Sequence, residues 1–344
     1  MVRVIKVALI GFGTVGRSLA KLIALKGRSI EEKYNTRLSI IAIADSGGAA
    51  IKEEGFTSYE LLRLTEFPRS AVSTYSPYGV PGAEVADIYR RIVPDIHVEA
   101  TPSNYVDGEP GISNVLYALE SGAHVVSCNK APFVLKYSYI MNLASGKELR
   151  IKFKATVMAG TPLVDLLMSL KGYEVERVEG VLNGTTNFIL TEMHENLITY
   201  EEALKKAQVM GIAESDPDLD VKGWDSAAKL VIISNVLGKS LSLGDVIRDG
   251  LSRLSIRDVY RAIKEDSVIK FVAELDLREG RASVKLSKVP KNSIFASITG
   301  TLNAVKIRTD VNEITLIGKG AGGPETAHAV LDDIITIARE VRRA

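Results

Sequence analysis

Residues 213–230 read AESDPDLDVKGWDSAAKL, and they place Glu214, Asp216, Asp218, Asp220 and Asp225 within twelve positions, with Lys229 one helical turn beyond Asp225. Acids alternating at 216, 218 and 220 open the pattern of a calcium loop, which requires a glycine in sixth place and a glutamate in twelfth. Val221 and Ala227 occupy those places, so the calcium reading fails. Two readings stay open on this segment alone. Asp225 and Lys229 could form an ordinary i,i+4 surface pair on a capped helix, worth roughly 0.3–0.5 kcal/mol. Alternatively, the carboxylates grip a substrate ammonium while Lys229 handles a proton.

The rest of the chain narrows the choice. It has 344 residues, enough for two domains that each bury a core. Its 43 basic residues oppose 42 acidic ones, leaving no field for nucleic acid or an anionic membrane and favouring a small-molecule partner. No run of about 18 apolar residues occurs. The opening MVRVIKVALIGFG turns into glycines by residue 11 instead of forming a leader, so a soluble, cytoplasmic protein is expected. A single cysteine, Cys128, excludes an internal disulfide and a thiolate metal cluster. The four histidines have no metal-ligand spacing and read as surface or packing residues.

The elements that would position this chemistry begin with a strand at Val2–Ile10, the loop GFGTVG, and helical spacing over Arg17–Lys26. Strand, glycine loop and helix form the context in which G-x-G-x-x-G has meaning. Gly11 permits the tight turn, Gly13 admits pyrophosphate to the backbone, and Gly16 lets helix and strand pack. Phe12, Thr14 and Val15 complete the candidate cofactor loop, at the amino end of a helix whose N–H groups suit phosphates. Leu38–Ala44 reads as a second strand ending in Asp45, a candidate ribose ligand, although ADSGG also suits a turn. Further strands at Ile96–Ala100 and His124–Ser127, separated by a helix at Gly111–Ser121, end in TPSN and CNKAP. Ligands bind outside the carboxyl ends of such strands, which puts Thr101, Ser103, Asn129 and Lys130 at the mouth of a cofactor crevice.

Beyond residue 150 the pattern changes to strands at Ile151–Thr156 and Arg177–Leu182, helices near Phe188–Glu195, Tyr200–Met210 and Trp224–Leu237, and a hairpin turning at Glu279–Gly280. The expected fold is therefore α/β, with a Rossmann-type dinucleotide-binding domain over residues 1–150 and a second, mixed α/β domain for substrate over residues 151–315. A strand, glycine loop and helix in LIGKGAGGPETAHAVLDDIITIAR then return the chain to the first domain over residues 316–344.

GFGTVG, VEATPSN, VVSCNKAP, GVLNGTTNFIL, GIAESDPDLDVKGWDSAAKL and GKGAGGPETA, in this order, resemble homoserine dehydrogenase from residue 4 to about 340. The resemblance implies reversible oxidation of L-homoserine to L-aspartate 4-semialdehyde with NAD or NADP, on the route to threonine and methionine, by a homodimer joined through the second domain. It assigns Lys229 as acid/base and Lys130 as a second lysine at the site. Glu214 and Asp225 become substrate ligands, Asp220 a further polar position beside substrate, and Thr101, Gly211 and Gly322 cofactor contacts. The chemistry agrees with these assignments. Hydride transfer needs a donor carbon about 3–3.5 Å from the carbonyl and an acid for the forming alkoxide. A lysine, ordinarily titrating near 10.4, can serve as that acid.

Two departures from the family stand out. Lys154 occupies a place where the family often has a cation-binding glutamate, and the carbonyls of Val157, Ala159 and Thr161 beside an ammonium would hold a monovalent ion poorly, so no metal is expected. The sequence also shows no regulatory domain after the last helix, so threonine feedback through one is not expected. Two rival functions remain: a semialdehyde dehydrogenase with Cys128 as nucleophile, and a protein that senses NAD(P) without turnover. Asp45 would favour NAD, and Lys52 could accept the extra phosphate of NADP.

Overall fold

A computed structural model of the chain describes residues 2–341 and divides it into two compact units, one formed by the residues up to Thr156 and from Gly322 on, the other by Val157–Ala321. The first unit holds seven strands: β1 (Arg3–Ile10), β2 (Thr36–Asp45), β3 (Gly48–Ile51), β4 (Gly79–Pro81), β5 (Ile96–Glu99), β6 (His124–Ser127) and β7 (Ile151–Lys152). They lie in the order β4-β3-β2-β1-β5-β6-β7. The five strands from β2 to β7 run parallel, while β3 and β4 add an antiparallel edge. Parallel strands covered on both faces must be apolar throughout, which is why VALI of β1 and IIAIA of β2 read as unbroken runs. The chain moves outward from β1 to β2 and later returns on its other side as β5. The carboxyl ends of β1 and β5 therefore flank the point where strand order reverses, the usual position of a ligand crevice.

The helix after β1 spans Thr14–Tyr34, longer than the predicted Arg17–Lys26. Gly27 does not interrupt it, because Ile30 is still buried on the same face, and the helix ends where Asn35 turns left-handed at φ 51°. It packs its Leu19 and Ile23 into one core with Ala327, Val330, Ile334 and Ile337 of the last helix, Gly323–Glu340. The predicted strand Ile151–Thr156 is cut short. Only Ile151 and Lys152 pair with β6, and Lys154–Thr156 forms a 3-10 turn. Phe153 leaves the sheet to stack on Phe133 at 4.2 Å, and the Lys154 N–H donates to Asp333 at 3.1 Å. The Lys154 ammonium lies 2.5 Å from Asp332 and 3.4 Å from the fully buried Asp333, so this lysine is paired with two acids of the last helix rather than pointing into solvent.

The second unit carries β8 (Val175–Val181), β9 (Val246–Arg248), β10 (Ser267–Asp276), β11 (Arg281–Pro290), β12 (Leu302–Thr309) and β13 (Glu313–Lys319), in the order β13-β12-β8-β10-β11-β9. Pairing is antiparallel except between β11 and β9, which are parallel. β10 and β11 form the hairpin turning at Glu279–Gly280. Within β10, only Ala273–Asp276 pairs with β8, whose other edge pairs with β12. Earlier in β10 the Ile269 N–H instead donates to His194 Nε2, on the helix Gly184–Glu195, at 2.9 Å. The helix Trp224–Val236 packs closely on the sheet, with Phe271 3.1 Å from where a side chain on Gly223 would begin.

Candidate active site

Within the second unit the acidic segment and its lysine form a connected chain of hydrogen bonds. Lys229 lies in the second turn of the helix Trp224–Val236, whose residues Ser226–Ser234 are all buried, and is itself 4% exposed. Its ammonium donates to Asp225 Oδ2 at 2.6 Å and to the Leu182 carbonyl at 2.6 Å. An ammonium out of water is costly unless charge-paired and hydrogen-bonded, and here it is both. The surface-pair reading is therefore overturned.

Asn183 extends the chain, its Nδ2 donating to Asp225 at 2.9 Å and to Asp220 at 2.6 Å. Its Oδ1 accepts from the Thr186 N–H as the cap of the helix Gly184–Glu195, which fixes the amide's orientation. Burial, reinforced by the charge of Asp225, pushes the Asp220 carboxyl above the usual aspartate range. Sequence reading grouped Asn183 only with a motif, although an asparagine just before GTT is a recognisable helix-start signal.

Glu214 stands apart from this chain, exposed on the loop after the helix Tyr200–Val209. Gly211, where that helix ends, is also exposed, and its φ of 69° suits glycine. Asp216 and Asp218 are exposed, and Asp218 pairs with Lys222 in a solvated turn.

In the first unit the glycine loop matches its expected geometry. A side chain on Gly11, at φ 100°, would begin 2.3 Å from the Ala100 carbonyl carbon, and one on Gly16 would begin 2.2 Å from the Gly11 carbonyl oxygen. Gly13 faces open space, leaving a cradle beside the start of the helix at Thr14, where no side chain caps the N–H groups. Such a cradle fits a dinucleotide pyrophosphate. Phe12 is buried in the core and Val15 packs against it, so both would offer a cofactor chiefly their main chain. Gly322 precedes the last helix, where a side chain on Gly323 would begin 2.7 Å from Thr14. Two glycine turns thus lie side by side.

Asp45 ends β2 and also anchors the turn that follows, accepting from Gly47 N at 2.9 Å and Val72 N at 3.1 Å. Lys52 is tied to Glu60 at 2.8 Å. The loops after β5 and β6 are stitched together: Lys130 N donates to Ser103 Oγ at 2.9 Å, and Asn129 Nδ2 donates to Thr101 Oγ1 at 3.0 Å. Beneath them lies a residue that sequence reading missed, the buried Glu99, with His97 beside it at 3.5 Å and Tyr89 on the far ring nitrogen at 3.2 Å. His97 thus belongs to a polar network, not to apolar packing. The signal was present in IHVE, two polar residues on one face of a strand that should be apolar on both. Burial, followed by the charge of Glu99, pushes the Cys128 thiol up to about 12, which leaves almost no thiolate at neutral pH.

Comparison with known proteins points to one family. The family model for homoserine dehydrogenase matches residues 162–335. The chain is 34% identical to homoserine dehydrogenase of Methanocaldococcus jannaschii, over 98% of the chain and 99% of the relative. It is 35% identical to NAD(+)-dependent homoserine dehydrogenase of Pseudomonas canavaninivorans, over 98% and 97%. A hyperthermophilic archaeal homoserine dehydrogenase solved in complex with NADPH superposes with TM-score 0.83 at 31% identity, covering 98% of each chain.

Proposed function

The chain belongs to the homoserine dehydrogenase family, and from that premise we propose that Lys229 is the acid/base for interconversion of L-homoserine and L-aspartate 4-semialdehyde. The cofactor is NAD or NADP. The observation that carries the assignment is the partly buried chain Asp220–Asn183–Asp225–Lys229, which holds the buried Lys229 ammonium against one carboxylate and one carbonyl. When bound, NAD or NADP would supply the hydride acceptor for the alcohol carbon of homoserine and the hydride donor for the aldehyde. In the reducing direction Lys229 gives its proton to the oxygen as negative charge develops there. In the oxidising direction the ammonium must first release a proton to solvent, and the neutral amine then takes the hydroxyl proton. Asp225 orients Lys229, and Asp220 and Asp225 present oxygen to the substrate. Glu214, exposed on its loop, takes the ammonium of the amino acid, and Lys130 serves as the second lysine.

Residues Gly11–Gly16 hold the pyrophosphate, and Thr101, Ser103, Gly211 and Gly322 are further cofactor contacts. The first unit is thereby the dinucleotide-binding domain and the second the substrate domain. The occupied state of Lys52 supports NAD over NADP, since its ammonium is held by Glu60 while Asp45 ends the strand from which a ribose is gripped. kcat/KM should therefore be higher with NAD, and a higher value with NADP would reverse this assignment. A homodimer is proposed from family likeness alone, and sedimentation of the purified protein tests it. Cytoplasmic residence is proposed from the biosynthetic activity.

Turnover of homoserine with NAD or NADP and no added phosphate tests the function as a whole. Failure with homoserine, together with phosphate-dependent oxidation of the semialdehyde, would restore Cys128 as nucleophile. The protonated thiol opposes that outcome.

A further inference from the structure

We propose that Glu99 is a positioning residue that fixes two ligand-facing loops and the glycine loop with a single buried carboxylate. This rests on the reading of Thr101 and Lys130 given above. Glu99 is the last residue of β5, between β1 and β6, and is fully buried. Its Oε1 accepts from Thr101 N at 2.9 Å, from the Thr101 hydroxyl, and from Asn129 Nδ2 at 3.4 Å. Its Oε2 accepts from Asn114 Nδ2, on the helix Gly111–Glu120, at 3.0 Å. These donors belong to three separate segments. A carboxylate removed from water is unfavourable unless such bonds are made, and a residue that merely filled space here would be apolar.

The consequences run in two directions. Thr101 is the floor of the glycine loop: a side chain on Gly11 would begin 2.5 Å from Thr101 N, so displacing that peptide displaces the loop packed on it. Asn129 precedes Lys130, and its Oδ1 is already committed to Ala131 N at 3.0 Å, so its amide cannot turn over to suit a different neighbour. Oε1 must therefore be an acceptor, since Thr101 N–H and the Asn129 amide both donate to it. On the other oxygen Asn114 is free of that restriction, and a turned Asn114 amide would accept from a glutamine. Glu99→Gln is accordingly the conservative variant that keeps the loops in place, whereas Glu99→Leu removes the acceptor at similar volume.

The experiment measures kcat, KM and cofactor affinity for Glu99→Leu, Glu99→Gln, Lys130→Ala and the double variant Glu99→Leu/Lys130→Ala, with thermal melts as fold control. Glu99→Leu should lower kcat about 10- to 100-fold and weaken the cofactor several-fold, as a misplacement near 1 Å would. Glu99→Gln should stay within about fivefold of the parent. In the Lys130→Ala background the further effect on kcat should shrink, because part of it acts through that loop, while the loss of cofactor affinity, which acts through Thr101 and the glycine loop, should remain. A folded Glu99→Leu protein with kcat and cofactor affinity within about twofold, or fully additive losses in kcat in the double variant, overturns the proposal. If Glu99→Leu does not fold, Glu99→Asp withdraws the acceptor by one methylene and is read by the same coupling, with unaltered kcat as the contrary result. Near-normal kcat in Lys130→Ala alone would instead refute the reading of Lys130 on which this rests.

Discussion

Lys229 lies in a helix buried all round, so its charge must be matched within the protein, and the matching groups are Asp225 and one main-chain carbonyl. A residue kept only for this pairing could be exchanged for another cation, which provides a test. Lys229→Arg keeps a charge but cannot release its proton at working pH. It should fold, by circular dichroism and thermal melt, yet lose about 10²- to 10⁴-fold in kcat. Near-normal kcat in this variant would reduce Lys229 to a structural cation. Glu214→Gln should act differently, raising KM for homoserine with little change in cofactor affinity, because it removes a charge partner for the ammonium. A change confined to cofactor affinity would move Glu214 to another role. At this scale the i,i+4 pair of Asp225 and Lys229 was legible because helical spacing is local. Its burial was not, since that depends on strands and helices distant in sequence. Lys154 shows the same limit: its partners, Asp332 and Asp333, come almost two hundred residues later.

Among the elements, β10 carries an unusual load. Lys270 is buried, donating to Asn187 Oδ1 at 3.0 Å and to the Ile298 carbonyl, and burial brings its amine down to about 8. His194, which accepts from the same strand, is lowered to about 4, first by burial and then by the charge of Lys270. Both groups hold fewer protons when folded than when unfolded, so stability rises with pH wherever the unfolded chain alone is protonated. For His194 that window runs from about 4 to the ordinary 6.5, and for Lys270 from about 8 to the ordinary 10.4. Each contributes a slope of up to about 1.4 kcal/mol per pH unit. Denaturant unfolding across pH should show both rises, with the acid one lost in His194→Gln and the alkaline one in Lys270→Met. Unchanged slopes in the variants would mean that other groups set the profile. The parallel strands of the first unit could be read almost to the residue, because burial on both faces leaves an unbroken apolar run. β7 was overextended for the opposite reason: IKFKAT alternates like a strand, yet Phe153 and the Lys154 N–H find their partners outside the sheet.

For the whole molecule, the last helix belongs to the unit that begins the chain, and this has a thermodynamic consequence. Val330, Leu331, Ile334 and Ile337 are buried with Leu19 and Ile23 in the core of the first unit. Each large side chain returned to water costs about 1.5–3 kcal/mol, so losing these four removes about 6–12 kcal/mol. A folded domain commonly has only about 5–15 kcal/mol in total. The glycine loop sits on that same core through Phe12, so the cradle cannot survive if the core does not. The sequence showed a strand, glycine loop and helix here, read as a return of the chain to the first domain. What it could not show was how much of the first core this helix supplies, because its partners are over three hundred residues away. A chain ended after Ala321 should therefore accumulate in the insoluble fraction or melt without a cooperative transition for the first unit. It should show no thermal stabilisation by NAD, whereas ligand at a hundred times its Kd stabilises an intact binding domain by about 2.7 kcal/mol. A soluble truncated protein that melts cooperatively and is still stabilised by NAD would show that the first unit holds its core and its cradle without the returning helix.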